Sequence, residues 1–244
     1  MATPSPNAVR VIRKRSSNAI DSSCAVAVQR PGDGGSRGAV VRPDPRHGGQ
    51  VEAYRKQAAQ LTEGQSEGAR VLEVAFGPGY LAIEMARSGR LQLTGLDISR
   101  TFVQIASENA RQAGVSVDFH QGDAAVMPFE AESFDLVVCQ AAFKNFVHPG
   151  SALSEMHRVL CDGGTAVIQD MSSEATHADI EREVNGMELD WLSTFTTKAT
   201  LEMLKRRAYS PARFEKLVAE SPFNTCTITK EGIGLEVRLE KRVA

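Results

Sequence analysis

At 244 residues, with an apolar share of 42% and a formal charge of −2, the chain is long enough to bury a large core of its own. No run approaches the ~18 apolar residues of a membrane-spanning helix. The scattered Cys24, Cys139, Cys161 and Cys226 form no CxxC pair or Cys/His cluster, which argues against a metal centre or a disulfide framework and suits a reducing, cytoplasmic setting.

The near-neutral charge hides an asymmetry. Residues 1–50 hold eight Lys/Arg against three Asp/Glu, a net of +5, which leaves −7 for residues 51–244. An acidic body is a poor electrostatic match for nucleic acid, so no nucleic-acid partner is expected. The first fifty residues are rich in Ser, Pro, Gly and Arg without apolar periodicity and read as a disordered basic tail. Arg10-x-x-Arg13-Lys14-Arg15 within it is a candidate basic contact patch or part of a targeting segment. Residues 51–244 read as one domain.

From Val51 to Leu61 the spacing of Ala53, Tyr54, Ala58 and Leu61 predicts a helix. Tyr54 is a candidate cover for a ligand or an aromatic packed on the sheet. Val71-Leu-Glu-Val-Ala-Phe-Gly-Pro-Gly79 then reads as a buried strand breaking into a glycine loop, followed by a helix from Tyr80 to about Ser88. Such a loop lets backbone N–H groups and a helix N-terminus approach a nucleotide-like ligand. Glu73 lies inside the apolar strand, and a buried carboxylate is costly unless something satisfies it. A second apolar run, Leu91 to Leu96, ends in Asp97, where doubly wound sheets hold a ribose diol. Gly77-x-Gly79-x-x-Ala82 followed by an acid fits an NAD(P)-dependent oxidoreductase equally well.

Ser99 is a plausible N-cap for a helix with Phe102, Val103, Ala106 and Ala110 on its buried stripe, ended by Gly114. Asp123, in Gly122-Asp123-Ala124, closes a third strand and sets another acid on the carboxyl edge, placed to accept from an exocyclic amine. Phe134 to Cys139 is a fourth strand. Ser151 opens a helix stopped at Gly163-Gly164, and Thr165 to Gln169 is a fifth strand. Residues 171–220 read as helical, with Glu181–Trp191, Ala199–Arg207 and Pro211–Glu220 as separate helices, the last capped by Ser210. Two strands, Thr225–Thr229 and Leu235–Leu239, close the chain, the last alternating apolar and charged residues as an antiparallel, half-exposed strand does. The fold class expected is α/β: a doubly wound, seven-stranded, mostly parallel sheet with helices on both faces and an antiparallel last strand.

Five segments in this order resemble the class I, Rossmann-like S-adenosylmethionine-dependent methyltransferases. They are the first strand with its loop, the Asp97 strand end, the Gly122-Asp123-Ala124 turn, the Phe134–Cys139 strand and Arg158-Val-Leu-Cys-Asp-Gly-Gly164, spanning roughly residues 70–170. Asp123 and Glu73 have no evident use in a dehydrogenase. The resemblance implies S-adenosyl-L-methionine as cofactor, held by Glu73, Ala75, Gly77, Gly79, Asp97, Ile98, Asp123, Ala124 and Gln140. Asp97 would take the ribose hydroxyls, Ile98 would lie on the adenine face, Asp123 and the Ala124 N–H would read the adenine edge, and Glu73 would support the loop and the amino-acid end. Ala75 and Phe76 replace the commoner Gly and Cys, and Phe76 is large enough to crowd that wall.

After the fourth strand the text is Cys139-Gln-Ala-Ala-Phe-Lys-Asn-Phe146, without the Asn/Asp-Pro-Pro-aromatic turn of amine methyltransferases. Phe143-Lys-Asn-Phe146 and Glu155-Met-His-Arg-Val-Leu160 are similar to the quinone-biosynthesis C-methyltransferases. That likeness implies a small or lipophilic organic acceptor beneath a helical lid of residues 171–220, with Met187, Trp191, Phe195 and Met203 as candidate lining or core residues. His148 is the candidate base; His120, His157 and His177 have weaker claims. A non-catalytic binding protein of the same fold is the other alternative. Composition leaves the oligomeric state open.

Overall fold

In the computed structural model, residues 11–12, 48–187 and 191–243 are described. The tail expected over 1–50 lies outside them, apart from Val11–Ile12 and the start of the first helix. Residues 21–123 form one compact unit, and residues 124–244 with 1–20 form another. The chain opens with a two-residue strand, β1 (Val11–Ile12), which belongs to the second unit.

In the 21–123 unit, α1 (Gly48–Leu61) precedes β2 (Arg70–Val74), α2 (Tyr80–Ala86), β3 (Gln92–Asp97), α3 (Arg100–Ala113) and β4 (Asp118–Gln121). β2 pairs with β3 and β3 with β4, both parallel, so the three carboxyl ends share one edge. Val71, Leu72 and Val74 are essentially without exposure; each such side chain contributes about 1.5–3 kcal/mol on leaving water. Tyr54 is buried with its ring 5.9 Å from that of Tyr80, so it joins α1 to α2 as a packing residue. Ser99 caps α3, its hydroxyl accepting from the Phe102 N–H, and Gly114 ends it in the left-handed region.

The second unit continues with β5 (Phe134–Gln140), a 3-10 turn (Phe143–Asn145), α4 (Pro149–Val159), β6 (Leu160–Met171), α5 (His177–Asn185), α6 (Trp191–Lys205), α7 (Pro211–Ala219), β7 (Thr227–Glu231) and β8 (Gly234–Glu240). β5 and β6 are parallel, β8 is antiparallel to both β6 and β7, and β1 lies parallel to β7. Parallel strands alternating with helices, followed by an antiparallel closing strand, are the expected fold class. The short β1 is additional.

Several boundaries differ from expectation for local reasons. α4 begins at Pro149, because proline's fixed φ suits the first helical position, and His148 takes the N-cap in place of Ser151. Thr176 and Asp179 form a capping box that starts α5 at His177, four residues before Glu181. Trp191 opens α6 and does not end the preceding helix. Cys139 is a buried apolar filler, whereas Cys161 is partly exposed and its thiol donates to the Glu132 carbonyl at 3.0 Å.

Candidate functional site

The glycine loop leaves β2 at Val74 and enters α2 at Tyr80. Ala75 takes φ 59, a left-handed conformation that costs an L-residue roughly 1–2 kcal/mol. It is held there by its N–H on the Leu96 carbonyl at 2.6 Å. Gly77 and Gly79 follow at φ 55 and φ 80, which glycine adopts without strain. A Cβ at Gly79 would stand 2.8 Å from the Ala106 Cβ, so Gly79 also lets the loop lie against α3. A Cβ at Gly77 would meet nothing within 4 Å, leaving its backbone open to approach.

Phe76 does not crowd the ligand wall. It turns inward, 5% exposed, with its ring 4.6 Å from that of Phe119. Gly95, in the middle of β3, makes room: a Cβ there would stand 2.6 Å from Phe119 Cδ1 and 2.7 Å from Phe76 Cδ1. Asn109 on α3 donates to the Pro78 carbonyl at 2.9 Å and fixes the loop's crown. Neither Gly95 nor Asn109 carried a signal in the sequence alone, although a glycine inside an apolar strand marks a close approach.

Asp97 ends β3 and is 6% exposed. Its Oδ2 accepts the Gly77 N–H at 3.0 Å and its Oδ1 the Ser99 N–H at 2.8 Å, so one carboxylate ties the glycine loop to the start of α3. Burial pushes its pKa above the usual carboxylate value against those two amides. Each oxygen keeps a further lone pair for a ligand hydroxyl. Ile98, beside it, is 70% exposed, an apolar surface of the kind a flat ring covers. Asp123 lies two residues past β4 and is exposed, with the Gly122 N–H bonded to the Asp97 carbonyl at 2.9 Å. Asp97 and Asp123 therefore share the carboxyl edge of this unit.

Glu73 is 3% exposed. One oxygen accepts the Ala82 N–H, a donor in the first turn of α2 that Gly79, lacking a side chain, cannot satisfy. Oε2 is buried with no partner. Desolvation, with a smaller contribution from the Asp97 charge, raises the Glu73 pKa to about 8. The buried carboxyl thus caps the loop's helix with one oxygen and leaves the other unsatisfied. A cationic amino-acid end, a ribose and a flat base fit this donor set, so the residues present are chemically suited to S-adenosyl-L-methionine.

Ala124 and Gln140 belong to the second unit, where both are partly buried and Gln140 ends β5. His148 is exposed at the N-cap of α4, and its side chain makes no capping bond. Of the other histidines, His157 is half-buried edge-on to Phe223, and burial lowers its pKa. His120 pairs with Asp118 and His177 with Glu202. On α6, Phe195 is 69% and Met203 54% exposed, so neither is core; the Trp191 side chain lies outside the described residues, and Met187 is half-buried. Among the described residues, no group of three His, Cys, Asp or Glu is placed to hold a metal ion, and no helix is long and apolar enough to cross a membrane.

Residues 72–168 match the family described as methyltransferase domain. This segment is similar to methyltransferase domains, and the match favours that reading over the oxidoreductase alternative. The chain is 36% identical over 108 residues to a demethylmenaquinone methyltransferase of Deinococcus radiodurans, covering 44% of this chain and 45% of that protein. It is 33% identical over 144 residues to phthiotriol/phenolphthiotriol dimycocerosates methyltransferase 1 of Mycobacterium ulcerans, covering 59% and 51%. The chain thus spans about half the length of the curated relatives it matches. Its fold is shared with a crystal structure from Methanococcus maripaludis at a TM-score of 0.60 and 21% identity, covering 80% of this chain and 87% of that one.

Proposed function

We propose that this protein transfers a methyl group from S-adenosyl-L-methionine to a lipophilic organic acceptor of the quinone type. The observation that carries the cofactor half is the arrangement of Asp97 and Glu73 at one carboxyl edge: one carboxylate fastening the glycine loop, the other buried with an unsatisfied oxygen. The acceptor class is supported by the demethylmenaquinone methyltransferases among the relatives and by the Phe143-Lys-Asn-Phe146 text.

Asp97 would hold the ribose hydroxyls on its remaining lone pairs, Ile98 would take the adenine face, and Asp123 and the Ala124 N–H would read the adenine edge. Gly77 admits the cofactor to the backbone, Ala75 and Gly79 shape the turn, and Glu73 faces the cationic amino-acid end. Gln140, at the end of β5 in the second unit, is the remaining candidate that the resemblance implies. When bound, the cofactor would supply an electrophilic methyl group. The protein's own contribution is alignment and exclusion of water, and orientation of this kind contributes about 7–11 kcal/mol. An aromatic hydroxyl acceptor also needs somewhere to leave its proton, and His148 is the candidate. The helices α5, α6 and α7 are the candidate lid over the acceptor.

Incubation with methyl-labelled S-adenosyl-L-methionine and a short-chain demethylmenaquinol, read by mass spectrometry, should give a product heavier by one labelled methyl group in exchange for hydrogen. Cofactor binding without methylation of a broad panel of lipophilic acceptors would instead favour a non-catalytic binding protein of this fold.

A further inference from the structure

The loop that follows β5 is held from beneath by an ion pair that the cofactor site does not use. Lys144 and Asp170 lie in the second unit, with side chains each 3% exposed and Nζ 2.7 Å from Oδ1. The same Nζ donates to the carbonyl of Ala141. Asp170 in turn accepts the Lys144 N–H on Oδ2 at 2.8 Å and the Met171 N–H on Oδ1 at 2.7 Å. Two charges removed this completely from water gain little over an apolar pair of the same size; what a closed set of charged hydrogen bonds supplies is a single geometry.

The geometry held is an unfavourable one. Ala141 takes φ 54, left-handed for an L-residue, with its N–H on the Gln169 carbonyl at 2.7 Å and its own carbonyl on Lys144. Between them Phe143 is fully buried, its ring 5.1 Å from Phe214, 5.2 Å from Phe146 and 5.7 Å from Tyr209. Residues 141, 143 and 144 are therefore clamped from inside, while Asn145, Val147 and His148 are exposed. The loop follows the carboxyl end of a parallel strand, the edge beyond which ligands of α/β sheets sit.

We propose that Lys144 and Asp170 form a positioning pair that sets the loop Ala141–His148 in one conformation and so presents Asn145, Val147 and His148 to the methyl acceptor. The proposal rests on the methyl-transfer reading above. Lys144 does not itself exchange protons with the acceptor, since its Nζ is enclosed and donates to two oxygens of the fold.

The test uses the full chain and the double variant Lys144→Met/Asp170→Asn, which removes both charges and leaves an oxygen for one of the two backbone amides. Hydrogen exchange read by mass spectrometry should quicken by about tenfold or more over residues 141–148, with the glycine loop 75–79 unchanged. With short-chain demethylmenaquinol, kcat should fall by about tenfold or more, with the affinity for S-adenosylhomocysteine unchanged. Lys144→Met alone, which leaves the Asp170 carboxylate on its two backbone amides, should show both effects and covers the case in which the double variant does not fold. A lowered melting temperature with unaltered loop exchange and unaltered kcat would overturn the proposal, since the pair would then be structural only. A wild-type protein that methylates no such acceptor would remove the functional reading, and the exchange measurement would still decide whether the pair sets the loop.

Discussion

The two units each bury charge at the carboxyl edge of their strands, and they treat it in opposite ways. In the 124–244 unit, Lys144 and Asp170 satisfy one another and three neighbouring backbone groups. In the 21–123 unit, Glu73 caps one amide, keeps an oxygen without a partner, and has its pKa pushed up to about 8. A closed polar set fixes the scaffold, whereas an open one is a standing cost that a ligand can relieve. The difference separates a pair closed on its own fold from a carboxyl group that keeps an unsatisfied oxygen.

The sharpest way to break the comparison is to open the closed pair. Asp170→Leu leaves two amides buried without an acceptor and the Lys144 charge with the Ala141 carbonyl but no counter-ion, and should cost about 3–5 kcal/mol in denaturant unfolding. A loss near zero would mean that the pair is solvated, and the contrast with Glu73 would disappear.

Removing the charge of the open group acts in the other direction and depends on pH. The folded-state pKa of Glu73, about 8, lies above its ordinary value of 4.5, so the folded protein binds more protons between those values. Its contribution to stability is complete below about pH 4.5 and is lost as pH rises through 8, at up to about 1.4 kcal/mol per pH unit. Glu73→Gln should therefore raise the melting temperature of the ligand-free protein at pH 8.5 and leave it nearly unchanged at pH 5. Equal shifts at both pH values would show that Glu73 is solvated.

A smaller effect concerns the wall of the same loop. Gly95→Ala inserts a methyl group between the Phe76 and Phe119 rings and should destabilise by about 1–3 kcal/mol, measured by chemical denaturation. A neutral outcome would mean that Phe76 is free to move toward the ligand side.

The frame of the 21–123 unit is legible in the sequence because its signals are local: an apolar run, a glycine loop, and an acid at the next strand's end. Ser99 and Gly114 bounded α3 for the same reason, since both act on their own helix. The features that escaped depend on distant partners. Gly95 has meaning only once Phe76 and Phe119 converge on it, and the Lys144–Asp170 pair joins residues 26 apart. The start of α4 was missed because Pro149 outweighs Ser151, and the start of α5 because Thr176 and Asp179 close a box that apolar periodicity does not show.

Calorimetric titration of S-adenosylhomocysteine into the wild-type protein and into Asp97→Ala, with circular dichroism to confirm the variant's fold, bears most directly on the claim that the 21–123 unit holds the cofactor. The wild type should bind stoichiometrically, and the folded variant about a hundredfold more weakly, because two charge-assisted hydrogen bonds are lost. A wild-type protein that does not bind, or a variant that binds as well as the wild type, would contradict it.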